Sequence, residues 1–413
     1  MELDFTTLLW SLPLVFVLGW FASRFDIRQL RLENRRQPKA YFKGLNYLLN
    51  EKQDQAIDAF IEAVQQDPDT SELHFALGNL FRKRGEYDRA VRVHEHLLSR
   101  ADLSSAERDR AQHALAQDYV KAGLLDRAED ALAKLEGTAF ETQARLARLA
   151  IFERLRDWPA AAQIASKLQA AGQGDFSARK AHYLCEEAAQ LGKLHAAQTS
   201  AQTAPKSQAL NTTHNRSQST DAASASPEPN IRSLLAQAID TAPQAARARL
   251  ALAQNHSQAG EHLAAYTALV PLFSSAHSAS ALAAKPLGEA AVASGQQAAA
   301  YALLKASYAR SASIDVLDAI VQLESTSTEQ AREHYIHHLE REPSLAVATR
   351  WLAGEKLEHE QFHPLVQKAL DKAVKPLLRY RCAACGFEAQ AYFWQCPGCQ
   401  AWDSFPTRRV DEL

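Results

Sequence analysis

A surplus of positive charge is the first thing this chain does not have: 46 Lys and Arg stand against 48 Asp and Glu, a formal net charge of −2. Neutralising a phosphate backbone requires Lys and Arg gathered on one face, so no nucleic-acid partner is expected. Cysteine is scarce too. Of five in 413 residues, Cys382, Cys385, Cys396 and Cys399 crowd into the last tenth, leaving Cys185 alone. A disulfide framework would spread along the chain, whereas paired spacing at one end is metal-like. Aromatic residues make up only 8%. With Ala and Leu dominant, the composition is that of stacked helices with small-residue contacts, and the length exceeds what one compact core accommodates. A mainly α fold follows.

Charge is also missing from Phe5 to Ser23, which contains LLWSLPLVFVLGWFA. About 19 residues at roughly 1.5 Å each reach roughly 28 Å, the thickness of a bilayer's hydrocarbon layer, so residues 1–23 are read as a transmembrane helix. Trp10 and Trp20 suit the two interfaces. A secretory signal peptide fits poorly, because Glu2 and Asp4 stand where positive charge is needed and Trp20 and Phe21 where small cleavage-site residues belong. Residues 24–39 carry Arg24, Arg28, Arg31, Arg35, Arg36 and Lys39. By the positive-inside rule this cluster places the bulk of the chain on the cytoplasmic side, with some attraction to anionic headgroups in addition.

Residues 40–198 read as tetratricopeptide repeats, 34-residue helix-turn-helix units. Gly44, Tyr47, Ala56, Phe60, Ala63 and Pro68 lie at the unit's offsets. Leu77, Gly78, Phe81, Gly85, Tyr87 and Ala90 make a second unit, Leu115, Ala116, Tyr119, Gly123 and Ala128 a third, and Phe152, Trp158 and Ala161 a fourth. In each, an aromatic precedes the small residue of the second helix by nine positions. Residues 199–230 turn to Ser, Thr, Gln, Asn, Ala and Pro, cannot bury enough surface to offset ordering entropy, and are expected to be a disordered insertion. Over 231–375, Gly260 with Ala265 and Gly295 with Ala300 keep the turn-then-alanine spacing, and degenerate helical repeats are expected; a non-repeating helical domain is the alternative. Stacked repeats form an α-solenoid whose groove holds peptides or protein surfaces.

Nothing in the pattern is catalytic. Cys185 falls on a predicted helix and reads as a buried, unreactive thiol. His359–His363, HEQFH, matches the metalloprotease pattern, but Pro364 directly after the second histidine disfavours helical geometry at the residue that must ligate. The strongest chemical signal is RYRCAACGFEAQAYFWQCPGCQAWDSF: two Cys-x-x-Cys knuckles ten residues apart, able to give one ion a tetrahedral four-sulfur shell from Cys382, Cys385, Cys396 and Cys399. Gly386 opens the backbone after the first knuckle and Pro397 stiffens the second. Phe387, Tyr392, Phe393, Trp394 and Trp402 are expected to supply the apolar cover of this small domain, residues 376–413. Four thiolates suit zinc or iron equally, and a saturated shell leaves no open position for hydrolysis.

The order of these parts, with RFDIRQLRLENRR after the span, YFKGLNYLLNEKQDQAIDAFIEAV opening the repeats, and YRCAACGF and YFWQCPGCQAW at the knuckles, resembles the lipopolysaccharide assembly protein B family. The resemblance implies a rubredoxin-like metal domain with iron on Cys382, Cys385, Cys396 and Cys399, and a non-enzymatic adaptor at the cell inner membrane. Its implied partners are an FtsH-type membrane protease and an LpxC-type deacetylase, with other lipopolysaccharide synthesis and export proteins; a homo-oligomer is compatible with it. The adaptor would regulate lipopolysaccharide biosynthesis by controlling deacetylase levels. A rubredoxin-like electron-transfer protein and a general envelope chaperone-scaffold are the alternatives.

Overall fold

The structure, a computed structural model, describes residues 16–17, 19–20, 39–66, 70–203, 227–274, 279–324, 328–354 and 360–413. The expected span at 5–23 lies outside the described residues except for four of its positions, and most of the basic segment 24–39 and of the insertion 199–230 lies outside them also. Among the described residues no helix is long and apolar enough to cross a membrane. The regular structure of the described residues is helical apart from one two-stranded hairpin and one isolated bridge. The chain divides into two compact units, Met1–Leu155 and Arg156–Leu413, and the division falls inside the fourth expected repeat.

In the first unit, helices α1 (Lys39–Leu49) and α2 (Gln53–Gln66), α3 (Ser71–Arg84) and α4 (Tyr87–Ser99), and α5 (Ser105–Ala122) and α6 (Leu125–Ala133) form successive hairpins, with α7 (Glu141–Leu155) following. The offset residues explain why. Ala56, Phe60 and Ala63 have no exposed surface and share a core with Leu73, Leu77 and Phe81 of α3. A Cβ on Gly44 would sit 2.9 Å from the Phe60 ring, so glycine is what lets α1 lie against α2. The turns close alike: Gly85 and Gly123 take left-handed φ of 80° and 77°, ending α3 and α5 with the C-cap that glycine adopts without strain. At α5 the start is fixed too, by a capping box between Ser104 and Glu107.

Where a standard unit would pack two small residues, this one sets Gly78 against a fully buried histidine, His94. Its Nδ1 lies 2.5 Å from Asp118 Oδ2, and Arg82 Nη1 donates to Asp118 Oδ1 at 2.8 Å. A Cβ at Gly78 would come within 2.5 Å of the His94 ring. The triad therefore ties α3, α4 and α5 together through one carboxylate.

The second unit opens with α8 (Trp158–Ala170) and α9 (Ser177–Thr203). Helix α10 (Pro227–Thr241) packs directly on α9 through Ala181, Cys185 and Ala188 against Leu235 and Ala238. Cys185 is buried as expected, and burial pushes its thiol up to about 11. Then come α11 (Ala246–Gln258), α12 (His262–Leu269), the short α13 (Pro271–Ser274), α14 (Ser280–Ser294) and α15 (Gln297–Arg310). Gly260 and Gly295 repeat the left-handed turn, and Ala265 and Ala300 behind them are fully buried. Helices α16 (Ile314–Glu324), α17 (Thr328–Arg341), α18 (Leu345–Ala353) and α19 (His363–Val374) complete the helical part. A single apolar core runs from α11 to α19, with Leu287, Leu304, Ile314 and Val347 at full burial.

Candidate metal centre

The knuckles are built twice over from the same local geometry. Strands β1 (Tyr380–Arg381) and β2 (Glu388–Ala389) pair antiparallel, with Tyr380 opposite Ala389 and Arg381 opposite Glu388. Between them the Cys382 carbonyl accepts from Gly386 N at 2.9 Å while Cys382 N donates to Phe387 O at 2.9 Å. The second knuckle repeats this: the Cys396 carbonyl accepts from Gln400 N at 2.8 Å, Cys396 N donates to Ala401 O at 2.9 Å, and a bridge joins Gln395 to Trp402. Each turn needs one left-handed residue after its second cysteine, and these are Gly386 at φ 78° and Gln400 at φ 61°. The first is evident from glycine in the sequence. The second is masked by glutamine.

All four sulfurs lie within 4.8 Å of one another. Cys382 Sγ and Cys399 Sγ are 3.8 Å apart, and Cys385 Sγ and Cys396 Sγ 3.7 Å. A tetrahedral ion with metal–sulfur bonds of about 2.3 Å has sulfur–sulfur edges of about 3.8 Å, which these two pairs match. The thiols of the first knuckle are shifted in opposite directions. Hydrogen bonding with the Ser404 hydroxyl, 3.3 Å away, and with the backbone N–H groups of Cys385 and Ala384 brings the Cys382 thiol down to about 6. At Cys385 the Phe387 N–H pulls downward, but lost solvent and the sulfurs of Cys399, Cys382 and Cys396 together push the thiol up to about 12. Four thiolates cannot share this space without a cation, and a bound cation removes the conflict. The structure thus brings together every residue expected as a ligand, and the set can hold one metal ion.

Cys382 and Cys396 are buried, in a cluster with Tyr380 and Phe405 that receives Leu282 from α14, whereas Cys385 and Cys399 are exposed. Of the aromatic residues expected as cover, Tyr392 and Trp394 do pack, their rings edge-on at 4.9 Å. Phe387 and Phe393 stay 41% and 37% exposed, with the Phe393 ring 6.1 Å from that of Phe405. Trp402 turns away to the helices. It stacks on His182 of α9 at 4.9 Å and stands edge-on to Trp158 at 6.2 Å and Tyr183 at 6.0 Å. His182 Nε2 donates to Asp403 Oδ2 at 2.8 Å.

The residues beyond the knuckles then fasten the other side. Arg409 donates to both carboxylate oxygens of Asp315, at 2.7 and 3.1 Å, and to the Leu378 carbonyl at 2.9 Å, with its guanidinium 5.1 Å from the Tyr380 ring. Glu412 accepts from Ile314 N at 2.7 Å, and Asp411 from Ala346 N at 3.1 Å and from the Ser344 hydroxyl. Two carboxylates therefore cap the starts of α16 and α18, where the free N–H groups and the helix dipole favour negative charge.

HEQFH makes no metal site among the described residues. His359 lies outside them, Glu360–Phe362 is a 3-10 turn, and α19 begins only at His363 with Pro364 in its first turn. His363 Nε2 lies 3.2 Å from the Leu352 carbonyl. Contrary to the expectation drawn from Pro364, His363 is helical, because proline is tolerated in the first turn of a helix.

Taken together, the fold and centre define a helical-hairpin protein whose second unit carries a four-cysteine metal knuckle. The sequence family described as the rubredoxin metal binding domain matches residues 380–406. Lipopolysaccharide assembly protein B of Escherichia coli K12 is 28% identical over 97% of this chain and 98% of its own length. Its namesake from Haemophilus influenzae is 24% identical over 95% of this chain and 96% of its own. A tetratricopeptide repeat protein from Parabacteroides merdae superposes with a TM-score of 0.32 at 13% identity, covering 71% of this chain and all of the other. The chain is thus similar to lipopolysaccharide assembly protein B over nearly its whole length.

Proposed function

We propose that this protein serves lipopolysaccharide assembly as a membrane-anchored adaptor that contributes position and breaks no bonds. The observation that carries the reading is the similarity to lipopolysaccharide assembly protein B across 97% of the chain, knuckle included. In this reading residues 5–23 cross the inner membrane, the basic cluster after them keeps the bulk of the chain in the cytoplasm, and the helical hairpins stack into a grasping surface. The groove holds an LpxC-type deacetylase beside an FtsH-type protease. Tethering turns a bimolecular encounter into a local one at an effective concentration near millimolar, enough to raise turnover with no chemistry by the tether. The knuckle carries iron as a structural or docking element. Cells expressing a form without residues 1–23 test this: they should accumulate deacetylase, and deacetylase turnover equal to that with the full chain would refute the tether.

The exposure of Cys385 and Cys399 favours a second reading, electron transfer at an iron centre open to a redox partner. A visible spectrum of the purified protein that bleaches and recovers through one reduction and oxidation cycle would support it. A colourless protein holding zinc would dismiss it.

A further inference from the structure

Between the knuckle and the helices of the second unit lies a cavity of about 770 Å³, inside the range of roughly 300–1,000 Å³ typical of small-molecule sites. Three helices begin on its wall, where Ala178 is the second residue of α9, Ala246 the first of α11 and Ser280 the first of α14. Ala245 and Ala279, the N-cap residues of α11 and α14, have no side chain able to bond the first-turn N–H groups. Such helix starts offer donors and partial positive charge to an anion.

The side chains on the wall make the same offer independently. Arg310 donates to the Phe273 carbonyl at 2.6 Å and has no ion pair among the described residues. Arg408 donates to Ser311 Oγ at 2.8 Å, with Glu342 no nearer than 4.0 Å. The wall's single carboxylate, Asp403, is already held by His182. Ser313 and His182, 4% and 2% exposed, each keep a polar atom with no partner, Ser313 Oγ and His182 Nδ1. The same cavity is also lined by Tyr392, Trp394, Phe405 and Pro406, apolar surface carried by the knuckle.

We propose that this cavity binds a phosphate-bearing small molecule, its anion against Arg310 and the helix starts, its apolar body against the knuckle's aromatic residues. The assignment does not depend on the adaptor reading. Ligand occupancy would bridge the helices and the metal domain, because the two walls come from different parts of the unit.

Isothermal titration of the full chain, purified in detergent, with phenyl phosphate is the test. Saturable one-to-one binding is expected, tighter than for inorganic phosphate because the ring adds apolar contact, with phenol giving no heat. Arg310→Gln should weaken it at least tenfold with an unchanged far-UV spectrum. Arg408→Gln, at a side chain 35% exposed, should weaken it severalfold and keeps the test decisive if the first variant misfolds. No saturable binding, affinity equal in the wild type and both variants, or binding to phosphatidic acid vesicles without binding to phenyl phosphate would each overturn the assignment.

Discussion

Replacing Arg409 by Ala probes whether the metal knuckle and the helices behave as one cooperative body. The side chain makes two charge-assisted bonds to Asp315 and one to the Leu378 carbonyl, and the two partners are 22% and 18% exposed. Breaking a fully buried pair from one side costs about 3–5 kcal/mol, since the remaining charge is left uncompensated. Partial exposure lets water reach Asp315 and lowers the expected loss to about 2–4 kcal/mol. Spread over local opening, this raises the undocked population about 30- to 1,000-fold. Urea unfolding followed by tryptophan fluorescence should show the midpoint falling at constant slope, and a coloured chelator should strip the metal faster by a comparable factor. Arg381→Ala is the control, its salt bridge to Glu388 joining side chains 50% and 30% exposed within the hairpin. If Arg409→Ala moved the midpoint and the metal-release rate no more than Arg381→Ala does, the fastening argued from this residue would be wrong.

Asp118→Ala should cost the first unit about 3–6 kcal/mol, from two bonds to a charged acceptor at about 1.5–3 kcal/mol each, and hydrogen exchange in α3–α5 would report it; unchanged protection contradicts the triad's role. Replacing both Cys396 and Cys399 by Ser should abolish metal binding, checked by elemental analysis, and, on the adaptor reading, the control of deacetylase levels; a metal-free double variant with full activity removes the knuckle from the mechanism. Burial pushes the Asp318 carboxyl up to about 6, with Arg350 at 2.9 Å pulling the other way. Its folded form thus binds more protons than the unfolded chain between about pH 4 and 6, so the stability of the second unit should fall as pH rises through that window. Asp318→Asn should flatten that portion of the pH–stability curve, and an unaltered slope would refute the assignment.

What the sequence made legible was periodic or local. Gly44, Tyr47, Ala56 and Phe60 are set by contacts within one hairpin, and the cysteine spacing by turns a few residues long, so both leave a pattern that can be read directly. Contacts between distant segments leave none. His182 with Asp403, Arg409 with Asp315 and Asp411 with Ala346 join positions far apart in the chain, and nothing in the spacing of any of them marks the partner. The same blindness explains the aromatic residues of the knuckle. Composition shows that Phe387, Tyr392, Phe393, Trp394 and Trp402 are present, but only the docked geometry shows that Trp402 belongs to the helices while Phe387 and Phe393 keep 41% and 37% of their surface exposed. Gln400 is hidden for a different reason, since a left-handed turn is legible where glycine occupies it and silent where the surrounding hydrogen bonds impose it on another residue.

The direct packing of α9 on α10 carries a practical corollary. Cys185, Ala188, Leu235 and Ala238 join these helices through their own side chains, so the stretch separating them in sequence can be lengthened with little penalty. Closure entropy grows with the logarithm of loop length, and tripling the intervening chain costs only about 1 kcal/mol. A fluorescent reporter or an affinity epitope spliced between α9 and α10 is accordingly expected to leave this packing intact while both termini stay native.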